Sequence, residues 1–169
     1  MSIYDRSNDR SSFNKGGYYK KPFTPRKPVH TFRDLEVYQK AMDCAVLVSK
    51  DINPKLVRLK YPMLENMINC ALSIPLYIGE GHSMRFDSFA AGIGLLEKAM
   101  AGCNKMVVYL EQIKGLYGVK LDGSLIDDLI GRYVEARSKM FRLSKSWKKF
   151  HQEFPEGKFA DKSVQAPRY

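Results

Sequence analysis

Towards the C-terminal end of the chain, Leu125, Leu129, Tyr133, Ala136, Met140, Leu143, Trp147, Phe150 and Phe154 follow one another at intervals of 4, 4, 3, 4, 3, 4, 3 and 4 residues. An α-helix turns about 100° per residue, so these steps keep every side chain on one narrow face. A helix over this span would be about 45 Å long and would carry an apolar stripe along its length. Such a stripe is buried only against partners of similar length. The pattern therefore predicts a bundle of long helices and excludes a sheet, in which apolar residues would alternate.

Three further helices are legible upstream. Thr31 is suited to cap a first one, with apolar positions Leu35, Tyr38, Met42, Ala45, Val46 and Val48, ending near Asn53-Pro54. A second is expected to start around Pro62, in the first turn, and to run through Leu64, Met67, Ile68, Ala71, Leu72, Ile74 and Ile78 to Gly79-Glu80-Gly81. Pro75 inside it predicts a kink over residues 71 to 75, because proline donates no backbone hydrogen bond and clashes with the preceding turn. The third is expected to start after His82-Ser83 or at Asp87, and to carry Phe89, Ile93, Leu96, Met100, Cys103, Val107, Leu110 and Ile113 up to Gly115. Its small residues at 90 to 94 and 99 to 102 predict a close helix–helix contact. Ser124 with Asp127 resembles a capping arrangement for the last helix. Four helices with short links predict an all-α, antiparallel up-down four-helix bundle over residues 31 to 154, with a frayed tail at 155 to 169.

The charge of +10 is unevenly spread. Residues 1 to 30 sum to +5, 31 to 130 to −1 and 131 to 169 to +6. The first 30 residues are rich in Ser, Asn, Gly, Pro and basic groups and nearly lack aliphatics, which predicts a tail disordered when free. Within it Tyr18 and Tyr19 adjoin Lys20, Lys21, Arg26 and Lys27, a mixture able to stack on bases while contacting phosphates. On the last helix, Arg132, Lys139, Arg142, Lys145 and Lys149 fall on one arc away from the apolar stripe, with Glu135 the only acid between residues 129 and 152. These two groups are the candidate nucleic-acid-binding residues, for RNA or DNA. A solvated face and a solubilising tail are the simpler explanations of the same charges.

Other classes are disfavoured. No apolar run approaches the roughly 20 residues that span a bilayer, and Met1 to Asn14 is too polar for a signal peptide, so no membrane association and a cytoplasmic location are expected. Cys44, Cys70 and Cys103 lack metal-site or disulfide spacing and sit in helical apolar patterns, as small core residues do. His30, His82 and His151 lie outside the Glu and Glu-x-x-His sets of di-iron bundles, and Gly-rich phosphate loops are missing. His82 beside Glu80 has no nucleophile or second carboxylate with it, so no catalytic residue, metal or cofactor is expected. Glu80 next to Gly81 is a candidate for accepting from N–H groups at the start of the following helix, a structural clasp.

FRDLEVYQKA (32 to 41) and SIPLYIGEG (73 to 81), with Phe89 and Leu95-Leu96-Glu97, resemble motifs of the bacterial four-helix bundle family, which includes proteins encoded in intervening sequences of large-subunit ribosomal RNA genes. Phe32, Leu35, Tyr38, Ser73, Pro75, Glu80 and Gly81 carry the match, with Tyr38 where the family usually has Trp. Tyr77 replaces an Asn and Ile68-Asn69 replace an Arg pair, so the roles of those polar groups do not carry over. EARSKMFRLSKSWKKF (135 to 150), including Trp147, resembles the closing helix of the accessory variability determinant of diversity-generating retroelements, with Lys145-Ser146 in place of Gly-Gly. That resemblance implies a pentameric homo-oligomer that binds a reverse transcriptase and template RNA. The intervening-sequence branch implies a structural or interaction role without a polymerase.

Overall fold

The computed structural model describes residues 29 to 153. The helices are α1 (Glu36–Leu47), α2 (Asn53–Leu59), α3 (Leu64–Met84), α4 (Phe89–Tyr117) and α5 (Gly123–Glu153), and no strand occurs among the described residues. A π-helical stretch, Val48–Ile52, joins α1 to α2, so the first arm of the bundle continues past the expected stop. Pro54 does not end it. The wide turn, closed by Asn53 N–H donating to the Val48 carbonyl, places Pro54 in the first turn of α2, where its missing N–H costs little.

Contacts between the long helices define a four-membered ring in which α1 packs on α3 and α5, and α4 on α3 and α5. Neighbours run antiparallel. Along α3 and α4, Gly81 meets Gly92 while Ile74 and Cys70 meet Gly102. Across α1 and α5, Glu36 pairs with Lys139 and Lys40 with Glu135. Lys114 pairs with Asp127, and Lys148 with Glu97, across α4 and α5. The core between them holds Val48, Ile52, Met67, Ile74, Leu96, Met106, Leu110, Leu129, Tyr133 and Met140, all fully buried.

The expected faces are correct in period and shifted in detail. On α5 the buried set is Ile126, Leu129, Tyr133, Ala136, Met140, Ser144 and Trp147, while Leu125 and Leu143 are half-buried and Phe150 is 58 % exposed. A straight helix at 3.6 residues per turn drifts away from a seven-residue repeat, so the contact line leaves Phe150. On α1, Met42 and Val46 are exposed and Val37, Ala41 and Cys44 are buried instead. Leu72 of α3 is also exposed, and α4 buries Ala99, Gly102 and Met106 beyond the expected positions.

The helix ends differ from expectation in four places. Thr31 begins a single 3-10 turn, Phe32–Asp34, where the Asp34 carboxylate accepts from the His30 and Thr31 backbone N–H groups; α1 itself starts after Leu35. Pro62 precedes α3 in a turn closed by Leu64 N–H donating to the Tyr61 carbonyl. Helix α3 passes through Pro75 without interruption and includes His82 and Ser83, so α4 starts only after Ser88, whose hydroxyl accepts from Ala91 N–H at 3.4 Å. Asp122, not Ser124 with Asp127, caps α5, accepting from the N–H groups of Ser124 and Leu125 at 3.0 and 3.1 Å.

Helix α2 ends in a Schellman motif, with Tyr61 N–H donating to the Leu56 carbonyl and Lys60 N–H to that of Val57. Lys60 is the sole non-glycine residue at positive φ among the described residues, with φ 53°. A side chain costs about 1 kcal/mol there. Lys60→Gly is therefore expected to raise stability by about 0.5–1 kcal/mol in chemical denaturation, and a loss of stability would contradict the motif.

Candidate nucleic-acid interface

The five α5 cations named from the sequence share a helix face, but the tertiary structure divides them. Lys139 lies at the α1–α5 seam, where its ammonium donates to the Glu36 carboxylate and reaches Glu135 at 3.1 Å; Lys40 meets the same two carboxylates at 3.5 and 2.7 Å. The bond to Glu36 and then that to Glu135 raise Lys139 to a pKa of about 12, and the lysines hold both carboxyls below their ordinary range. Two cations thus neutralise two anions. Arg132 donates to Asp128 at 2.7 Å, and Lys149 reaches Glu153 at 3.7 Å.

Arg142 and Lys145 differ in having no carboxylate partner among the described residues. Lys145 Nζ sits 4.6 Å from the centroid of the Phe141 ring, which is itself 48 % exposed. Arg142 lines a groove of about 720 Å³ between the start of α1 and α5 that also carries Asp34, Glu36 and Lys139, though neither carboxylate pairs with it. The low acid content of α5 was misleading for Lys139 because Glu36 arrives from another helix. Exposed pairs of this kind add little to stability, yet they occupy the cations that a phosphate would otherwise meet. Tyr18, Tyr19, Lys20, Lys21, Arg26, Lys27 and Phe154 lie outside the described residues.

Most of the motif residues gather where the start of α1 packs on the second half of α3, while Ser73 faces the groove between α3 and α4. The Phe32 ring lies against Gly79 and edge-on to Tyr38 at 4.9 Å, above an apolar groove that Met42, Leu76 and Met84 help to line. Leu35 and Pro75 are buried, and Ser73 donates to the Cys70 carbonyl at 2.9 Å. Gly81 abuts the Gly92 carbonyl, a contact that fixes the α3–α4 approach. Glu80 is exposed on α3, so it does not form the expected clasp; Ser88 supplies the cap of α4 instead. Trp147 closes the end of the bundle where α3 gives way to α4, packed on His82 and on the Arg85 guanidinium.

His82 is buried with Nε2 unpartnered, and burial followed by the nearby Arg85 cation pushes its pKa down. Its neighbours are the Phe86 and Trp147 rings. Cys44 and Cys103 are buried, with thiols pushed up to about 11 and about 12 mainly by burial, as expected of core residues. No group of three or more His, Cys, Asp or Glu among the described residues is arranged to hold a metal ion. No helix among them is long and apolar enough to cross a membrane.

Sequence reasoning missed a second polar surface. Between α3 and α4 lies a groove of about 630 Å³ whose sides carry Asn66, Asn69, Tyr77, Lys98, Lys105 and Tyr109. These residues are split over two helices, so no contiguous charge run marks them. Seven-residue spacing of Lys98 and Lys105 was the available signal. No family model, curated protein or solved structure matches this chain.

Proposed function

We propose that the chain is a non-enzymatic scaffold that binds nucleic acid and protein, working as an oligomeric accessory subunit of a retroelement reverse transcriptase on template RNA. The observation that carries the nucleic-acid part is the pair Arg142 and Lys145, three residues apart on α5 and without a carboxylate partner among the described residues. Lys149 continues their face, 77 % exposed and only loosely paired. Phosphate contacts of this type are electrostatic and independent of sequence. Self-association is supported by Met42, Val46, Leu72, Leu76 and Met84, large apolar groups exposed on α1 and α3. The polymerase partner rests on the resemblance of residues 135 to 150.

Binding of fluorescent RNA and DNA across 50 to 200 mM salt is expected to weaken linearly on a log–log scale. Arg142→Ala with Lys145→Ala should lower the magnitude of that slope by about 1–2 and weaken all sequences alike. A salt-independent curve, or unchanged binding by the double variant, would remove α5 from the interface. Copurification with a reverse transcriptase separates the accessory role from the intervening-sequence type of role. Light scattering reads the oligomeric state.

A further inference from the structure

The α3–α4 groove is a second polar surface outside the α5 face. Its floor is made by small residues: Gly102 lets α4 approach so closely that a Cβ there would lie 2.8 Å from Ile74 Cγ1, and Cys70 Sγ donates to the Gly102 carbonyl at 3.5 Å. Its sides carry longer polar groups. Lys98 and Lys105 are exposed and have no ion pair among the described residues, and none of the described carboxylates lines the groove. An uncompensated pair of ammonium groups over a floor of small side chains favours an anionic occupant.

The spacing favours one kind of anion. Lys98 and Lys105 are seven residues apart, which separates their backbones by about 10.5 Å along α4. Tyr77 flanks the first, with Lys98 Nζ 6.0 Å from its ring centroid, and Tyr109 lies one turn beyond the second. Both rings are half-buried, which limits their motion and leaves part of each available for stacking. Along about 16 Å of the groove, Tyr77 of α3 stands beside Lys98, and Lys105 and then Tyr109 follow on α4. Asn66 and Asn69 add amides that can donate and accept, and Ser73 uses its proton on the Cys70 carbonyl, so its oxygen remains an acceptor. Lysines act as point charges suited to phosphate, and Tyr77 and Tyr109 offer stacking surfaces that bases use and an acidic peptide does not.

We propose that the α3–α4 groove is a path for a short run of single-stranded nucleic acid, with Lys98 and Lys105 on two phosphates of the same strand and Tyr77 and Tyr109 stacking on bases. This rests on the nucleic-acid reading above and adds a second surface. In the ring of helices the α3–α4 edge is opposite the α1–α5 edge that holds Lys139, so the two surfaces are separate. Stacking on exposed bases requires an unpaired strand, so the groove discriminates against duplex, which the α5 cations by themselves do not.

The test uses the full chain with a single-stranded homopyrimidine oligonucleotide and a duplex of equal charge. Lys98→Gln with Lys105→Gln is expected to lower the single-strand salt slope by about 1.4, the contribution of two phosphates. Tyr109→Leu, which keeps the packing, is expected to weaken single-strand binding by about 5- to 150-fold and leave the duplex unaffected. Circular dichroism checks that each variant is folded. Groove variants that bind like the parent, while Arg142→Ala with Lys145→Ala does not, would overturn the groove and leave the general function standing. No binding by the parent chain at low salt would overturn both. Equal competition by polyglutamate would mark an acidic-peptide surface, and saturation by a mononucleotide at oligonucleotide affinity a small-molecule site; either overturns the strand path.

Discussion

Trp147→Ala is expected to lower the stability of the bundle by about 3–5 kcal/mol, measured by far-ultraviolet circular dichroism in denaturant. Trp147 is the single tryptophan of the chain and is 8 % exposed. Its ring contacts His82, at a centroid distance of 6.2 Å, and lies 4.5 Å from the Arg85 guanidinium carbon, which also sits 4.3 Å from the Phe86 ring. Truncation removes the largest apolar side chain at this end, opens a cavity and takes away one of the two rings facing Arg85. Trp147→Phe keeps an aromatic face and should cost about 1–2 kcal/mol. An unchanged midpoint for Trp147→Ala would show that this end of α5 does not pack on α3.

The same substitution carries a pH signature through His82. Burial, then the Arg85 cation, lowers its pKa from the ordinary 6.5, with Asp34 opposing. Because the unfolded chain binds the proton more readily, this contribution to stability is complete above about pH 6.5 and is lost as pH falls towards the lower folded value. In Trp147→Ala water reaches the imidazole, the shift relaxes, and stability should change less steeply between about pH 7 and pH 5. A steeper dependence would contradict the assignment of burial as the main cause.

Gly92→Ala is expected to cost about 1–3 kcal/mol although alanine is the better helix former. A Cβ at residue 92 would lie 2.7 Å from the N, Cα and Cβ of Arg85, where α3 ends. Backbone cannot swing aside as a side-chain tip does, so the α3–α4 junction must open. Gly81, facing the Gly92 carbonyl at 2.9 Å from its own would-be Cβ, belongs to the same contact. Gly131 supplies the contrast: it lies within α5 with nothing within 4 Å of a Cβ, and Gly131→Ala should stabilise by about 1 kcal/mol. Thermal midpoints moving in opposite directions would establish that close approach, not glycine content, sets the cost. Equal gains at both positions would refute it.

Much of the fold was legible because helical periodicity is a local property repeated many times. The stripe from Leu129 to Trp147 identified α5, and the small residues of α4 correctly signalled a close neighbour, realised as Gly92 on Arg85 and Gly102 on Ile74. Boundaries were less legible, since capping depends on single residues that compete. Ser124 and Asp122 are both acceptable caps, and only the path of the chain selects Asp122. The π-helical stretch before Pro54 left no periodic signature. The candidate interface was legible in part: Arg142 and Lys145 have no carboxylate partner among the described residues, whereas Lys139 met Glu36, a residue 103 positions away.

The amino-acid sequence by itself determined an all-helical fold for the described residues, the number of long arms and the concentration of positive charge at the two ends of the chain, because these follow from residue type and spacing. Tertiary structure decided which cations remain available and which small residues bear contact. It also brought Tyr77, Lys98, Lys105 and Tyr109 to one groove. Charge neutralisation and groove formation depend on which helix lies beside which, and that adjacency is created only when the four faces pack together.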